Sequence, residues 1–148
     1  MKYIFLLNLS LICGITLSLS SCHRSGCMDS SASNYSSTVK KDNGTCTYDG
    51  SVTFWFAKAA SDNLIANGSK TLSIYVDGTL AGTCQANNYT NTIPACNQSG
   101  MITARKYCGG MRGTRNYTYK IIDDNNILCW QGNIDFQSKI CKPFELTK

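Results

Sequence analysis

The chain has 148 residues, 14 Lys and Arg against 9 Asp and Glu for a net charge of +5, nine cysteines and one histidine. So mild a positive charge gives no electrostatic case for a nucleic-acid partner, and the length suits one ordinary domain with a small appendage. The lone histidine, His23, lies near the N-terminus, so the rest of the chain lacks the side chain that most often serves as a general base.

Lys2 precedes an apolar run from Ile4 to Leu19, broken only by Asn8, serines, Gly14 and Thr16, which is the layout of a secretory signal. Leu19-Ser20-Ser21-Cys22 then resembles the lipobox of bacterial lipoproteins: a branched apolar residue, two small residues and a cysteine. The resemblance implies that residues 1–21 are removed, that the Cys22 thiol carries a diacylglycerol, and that its new amine is acylated. Two or more long chains hold a protein on a membrane stably, where one does not. His23 and Arg24 follow Cys22 in place of the aspartate that retains lipoproteins on the inner membrane, so the outer membrane is expected, on its periplasmic or its surface face. The alternatives are an ordinary signal cut near Ser20 or Ser21, and a retained helix, for which the run is short of the roughly 20 apolar residues required.

Cys13 within the signal and Cys22 under lipid leave seven cysteines in an exported chain. An oxidising compartment makes these disulfides, with one thiol left over or paired between chains. Zinc would need close pairs such as CxxC, usually with histidines, and the sequence has neither, so no metal or cofactor is expected.

Residues 22–50 hold the lipidated cysteine, a tether and a polar segment without hydrophobic period. The stretch "GCMDSSASNYSSTVKKDNGTCTY" at 26–48 resembles the short "GCTDPxAxNYNxxAxxDDGSCxY" modules of exported proteins from Bacteroidetes-type bacteria. Gly26, Cys27, Asp29, Ala32, Asn34, Tyr35, Asp42, Gly44, Cys46 and Tyr48 carry the match; Ser30 stands for the usual proline, Asn43 for the second aspartate, and Lys40-Lys41 is an added basic pair. The module implies a Cys27–Cys46 bridge, which closes a loop of about 20 residues and contributes roughly 3 kcal/mol in the chain-entropy model. Asp42-Asn43-Gly44 is a turn sequence, since glycine accepts φ > 0. Asp29, Asn34 and Asp42 read as capping and turn residues, because calcium wants six to eight oxygen ligands.

From Ser51 to Lys148 the pattern changes to strands of period two: "SVTFWFAK", "TLSIYVDG", "TLAGTC", "GMITARKY", "RNYTYKIID", "ILCWQGNIDF" and "KICKPFEL". Val52, Phe54 and Phe56 face one way, as do Leu72, Ile74 and Val76, then Tyr117, Tyr119 and Ile121, then Leu128, Trp130, Ile134 and Phe136. Asp77-Gly78 reads as a two-residue hairpin turn, and Asp123 to Asn126 as another, with the adjacent aspartates pointing apart into water. "KAASDNLIAN" is interrupted by Ser-Asp-Asn and is read as a loop. The expected fold is all-β: a small antiparallel seven-stranded sandwich, Ig-like or transthyretin-like, over 51–148.

Five cysteines remain in this domain: Cys84, Cys96, Cys108, Cys129 and Cys141. A two-residue turn at Gln137-Ser138 would set Cys141 opposite Ile134 and Cys129 opposite Leu146, roughly 16 Å apart along the ladder, too far for a disulfide. Cys141 is therefore expected to pair with a loop cysteine such as Cys96, or to stay a thiol, while Cys84 and Cys96, flanking one loop, form the other candidate pair.

The sequence has no GxSxG, no HExxH, no phosphate-cradling loop and a single glutamate, Glu145, so an enzyme is not expected. Two features point to binding. Trp55 and Tyr75 take the outward parity of two strands and would stack on sugar rings if exposed together. Arg105, Lys106, Arg112 and Arg115, interleaved with Gly109, Gly110 and Gly113, read as a mobile basic loop for anionic lipid or acidic polysaccharide. The expected protein is a lipid-anchored envelope protein presenting a non-enzymatic binding or structural domain. Its partners are the membrane, through the lipid, and a glycan in an adhesion role or an envelope complex that it serves as accessory subunit.

Overall fold

The computed structural model describes residues 24–147. The signal run, the lipobox and Cys22 lie outside the described residues. Among the described residues nine strands and one helix follow in chain order: β1 Ser25–Gly26, β2 Lys41–Asp42, β3 Tyr48–Trp55, α1 Lys58–Ala66, β4 Thr71–Val76, β5 Thr79–Gln85, β6 Ile102–Gly109, β7 Thr114–Asp123, β8 Leu128–Gln137 and β9 Cys141–Glu145. The chain is mostly β. β1 and β2 form a small parallel pair, while the other seven strands make a three-stranded sheet ordered β6-β3-β9 and a four-stranded sheet ordered β5-β4-β7-β8.

The period-two pattern does the work expected of it. Val52, Phe54 and Phe56 meet Leu72, Ile74, Val76, Ile121, Trp130, Ile134 and Phe136 in one core between the two sheets. Phe54, Tyr119 and Phe144 interlock there with ring centroids 5.4–5.9 Å apart, and Phe56 stacks on Trp130 at 6.2 Å. Edge-to-face and offset rings of this kind add to plain area burial. The Asp77-Gly78 turn is a tight hairpin with both residues at positive φ, 53° and 71°, as that turn demands.

Leu128 breaks the pattern. A register shift between Ile121 and Ile122 pairs Ile122 with Leu128 while Ile121 pairs with Trp130, so Leu128 turns outward and is 45% exposed. The extra residue of such a bulge reverses parity on one side of it.

Three expectations are corrected. Residues 58–66 are a helix, not a loop. Ser61, the start of the apparent interruption, faces inward and donates its hydroxyl to the Ala86 carbonyl at 2.8 Å, beside buried Ala60 and Leu64. Asp62 faces water and pairs with Lys58 one turn back.

Of the aspartate pair, Asp124 is exposed but Asp123 does not point into water. Asp123 is buried, taking the Ser69 hydroxyl on one oxygen and the amides of Asn125 and Ile127 on the other, at 2.7–2.9 Å. Asp124 accepts the amides of Lys70 and Thr71, tying the β7–β8 turn to the start of β4.

The third correction concerns the last strand. β8 and β9 are not a hairpin; β9 crosses to the other sheet and runs parallel to β3, with Ser51 opposite Cys141 and Trp55 opposite Glu145. The crossing is steered by Ser138, which donates its amide to Gly113 and its hydroxyl to Gly110, and by the Lys139 amide on the Asp49 carbonyl. Here the chain passes so close to β3 that a Cβ on Gly50 would collide with the Gln137 backbone.

Cys27–Cys46 and Cys96–Cys141 are the disulfides among the described residues, with Cα separations of 4.8 and 6.1 Å. Cys141 thus has a loop partner as expected, although the hairpin register used to exclude Cys129 is absent. The Cys84–Cys96 pair does not form, because Cys84 turns toward the core from β5 while Cys96 reaches over β9. In the small module, Cys27, Ala32 and Tyr48 make a separate buried cluster. Its polar side chains serve turns: Asp29 accepts the Ser31 amide, Asp42 the Gly44 amide, and Asn34 bridges Thr45 and Thr47. β3 runs through the expected boundary at residue 50, so module and domain share one strand.

Peptide mapping under non-reducing conditions should return Cys27–Cys46 and Cys96–Cys141 linked peptides. Cys96→Ser should lower stability by about 4 kcal/mol in the chain-entropy model and shift tryptophan emission to the red; a Cys84–Cys96 peptide would contradict this topology.

Candidate ligand-binding face

Each sheet has an outer face, and the two differ in what covers them. On the three-stranded sheet, Thr53 is fully buried and Trp55 is 7% exposed although both point away from the core. The segment 86–101 lies over them. Its Thr90 amide reaches the Phe56 carbonyl, Pro94 is buried, and Cys96 is bonded to Cys141, whose sulfur is 3.8 Å from the Thr53 hydroxyl. Trp55 is therefore a covered side chain and no platform.

The four-stranded sheet is open on its outer side. Tyr75 on β4, half-buried, stands here, in a different sheet from Trp55, so the two aromatics do not share a face. Strand register defines what surrounds it. Leu80, Tyr75, Lys120 and Gln131 form one row across all four strands. Thr118 and Asn133 form the next row on one side, and Ser73, Ile122 and Leu128 the row on the other. The surface carries an open, shallow depression of about 800 Å³ lined by Tyr75, Thr118, Lys120, Ile122, Gln131 and Asn133 among others. None of the lining side chains is acidic. Among the described residues, Lys120 has no ion pair, and the side chains of Tyr75, Thr118, Gln131 and Asn133 have no hydrogen bond to protein. An aromatic ring, an ammonium, two amides and a hydroxyl thus converge without commitments.

The basic residues do not form one mobile loop. Arg105 and Lys106 belong to β6, Arg112 to the connecting turn and Arg115 to β7. Lys106 lies over the Tyr117 ring at 5.6 Å and Arg115 over Tyr107 at 4.6 Å, which holds both against the domain. Arg105 points elsewhere, into a polar cleft of about 690 Å³ between module and domain, shared with Ser30, Ser31, Asp49 and Lys139.

That cleft is bounded by the contact that docks the module. Asp29 takes the Tyr48 hydroxyl at 2.7 Å and Lys139 Nζ at 3.1 Å, and Lys139 also sits 4.4 Å over the Tyr48 ring. The Ser31 hydroxyl and amide, then Tyr48 and Lys139, hold the Asp29 carboxyl far below the usual carboxylate range. A depressed folded value stabilises the docked state above the unfolded value near 4, and this contribution fades only as pH falls toward the folded value. Burial pushes the Cys84 thiol up to about 11 and raises Cys108 as well, so neither is an activated nucleophile.

Sequence reading missed Lys120, Gln131 and Asn133 as site residues, although their outward parity was visible. What was hidden is which outer face stays open. Trp55→Ala should destabilise the protein by about 3 kcal/mol or more, the usual cost of emptying a buried aromatic site. Tyr75→Ala should cost less than about 1 kcal/mol; equal melting temperatures for the two variants would refute this assignment of faces. No family model matches the chain, and neither a curated protein nor a solved structure matches it.

Proposed function

We propose that this protein is a lipid-anchored envelope protein whose β-domain binds a glycan, without catalysis, on the outer face of the four-stranded sheet. The observation that carries the reading is the open depression around Tyr75, where a half-buried ring is surrounded by uncommitted hydroxyl, amide and ammonium groups. Sugars present an apolar C–H face and a rim of hydroxyls, so they need both a ring to stack on and polar groups beside it.

Anchoring rests on Leu19-Ser20-Ser21-Cys22 and on the apolar run before it. Removal of residues 1–21 would leave only two residues, Cys22 and His23, between lipid and the first described residue, Arg24. The docked module would then hold the domain near the membrane surface, at the outer membrane. Of the two sandwich types expected, the strand order argues against the Ig arrangement. Lettered A to G from β3, the sheets run D-A-G and C-B-E-F, whereas constant-type Ig sheets run A-B-E-D and C-F-G. The transthyretin-like reading is the one we retain.

Cys22→Ala should move the protein from the detergent phase to the soluble fraction, because the acyl chains are the proposed anchor. Retention of the variant in the membrane would remove the lipoprotein part of the proposal and leave the glycan part standing.

A further inference from the structure

We propose that the glycan taken by this face is acidic, a chain of sugars bearing carboxylates, with Lys120 pairing one carboxylate and Tyr75 stacking on the neighbouring ring. The inference rests on the reading of this face as a glycan site and adds its charge class. Lys120 stands in the middle of the row, with Tyr75 directly opposite on β4 and Gln131 directly opposite on β8. Neighbouring strands are about 4.8 Å apart, close to the length of one pyranose residue. A sugar chain lying across the strands would therefore meet, at successive residues, an aliphatic side chain, an aromatic ring, a cation and an amide.

Charge selects among glycans. The lining holds one cation and no acidic side chain. Two carboxylates border the lining on the same outward parity: Asp77, exposed in the β4–β5 turn with its amide on the Thr118 carbonyl, and Asp135, two positions along β8 from Asn133 and engaged by the Asn116 amide at 2.7 Å; neither pairs with Lys120. The other lysines that meet an acid or a ring are used by the fold: Lys58 pairs with Asp62, Lys139 with Asp29, and Lys106 caps Tyr117. Lys120 has no such partner among the described residues. Gln131 and Asn133 can donate to the second carboxylate oxygen or to ring hydroxyls. A neutral sugar would leave the ammonium with hydroxyls alone. A lipid or a hydrophobic protein partner would leave the two amides and the ammonium desolvated and unpaired, which is costly.

The test is titration calorimetry of the full-length protein in detergent micelles, with galacturonic acid oligosaccharides and with neutral galactose oligosaccharides of equal length. The wild type should bind the acidic series about 10-fold tighter at low ionic strength, and 0.5 M salt should remove most of that preference, since the pair is partly exposed. Lys120→Gln should reduce acidic binding about 10-fold and neutral binding far less, so that the preference is lost, Lys120→Arg should keep the preference, and Tyr75→Ala should abolish binding of both. Equal affinity for the two series, or a Lys120→Gln variant that keeps the preference, would overturn the acidic assignment and leave the glycan reading intact. Failure of the wild type to bind either series would overturn both.

Discussion

The burial of β3 on both of its faces is the constraint on which the rest of the structure depends. One face, Val52 and Phe54, enters the core between the sheets; the other, Thr53 and Trp55, lies beneath the segment 86–101. A central strand can be closed on two sides only if something is held over its outer side. Here the Cys96–Cys141 bridge does this from β9, the strand paired in parallel with β3. The segment it holds has little apolar surface of its own, with Ile93 exposed and Pro94 buried. A cross-link that limits the freedom of the unfolded chain stabilises such a segment where hydrophobic burial alone would not.

Covering one outer face leaves the other as the open one. Among the described residues no segment crosses the four-stranded sheet, and Tyr75, Thr118, Lys120, Gln131 and Asn133 keep their polar groups unspent. The small module is placed away from this face. It docks through Asp29, Tyr48 and Lys139 at the crossing between β8 and β9, and so occupies an end of the domain. The module and the open face of the four-stranded sheet are thereby separated, an arrangement that suits the proposed tether and binding surface.

Much of the fold was legible because alternation is a local signal. Val52, Phe54, Leu72, Ile74, Val76, Ile134 and Phe136 declare their faces within five or six residues of sequence, and Asp77-Gly78 declares its turn. The errors arose where a long-range contact decides. Ser61 reads as a helix breaker until the Ala86 carbonyl is seen to receive its hydroxyl. Asp123 reads as a solvated turn residue until Ser69, more than fifty positions earlier, is found against it. Gln137-Ser138 reads as a hairpin because nothing local announces that Gly110, Gly113 and Asp49 will draw the chain across. Trp55 is the same case: parity told that it points away from the core, and only the distant Cys96 segment decides that away from the core is still inside. Lys120 was visible as an outward residue, but its lack of an ion pair among the described residues is a property of the folded surface.

The account stands or falls on the difference between the two outer faces, which hydroxyl-radical footprinting of the oxidised protein measures without any ligand. Tyr75, Leu80 and Leu128 should be oxidised rapidly and Trp55 protected, even though tryptophan is the more reactive side chain. Reduction of the disulfides should raise labelling of Trp55 and leave Tyr75 as it was. Labelling of Trp55 in the oxidised protein at a rate equal to or above that of Tyr75 would contradict the account.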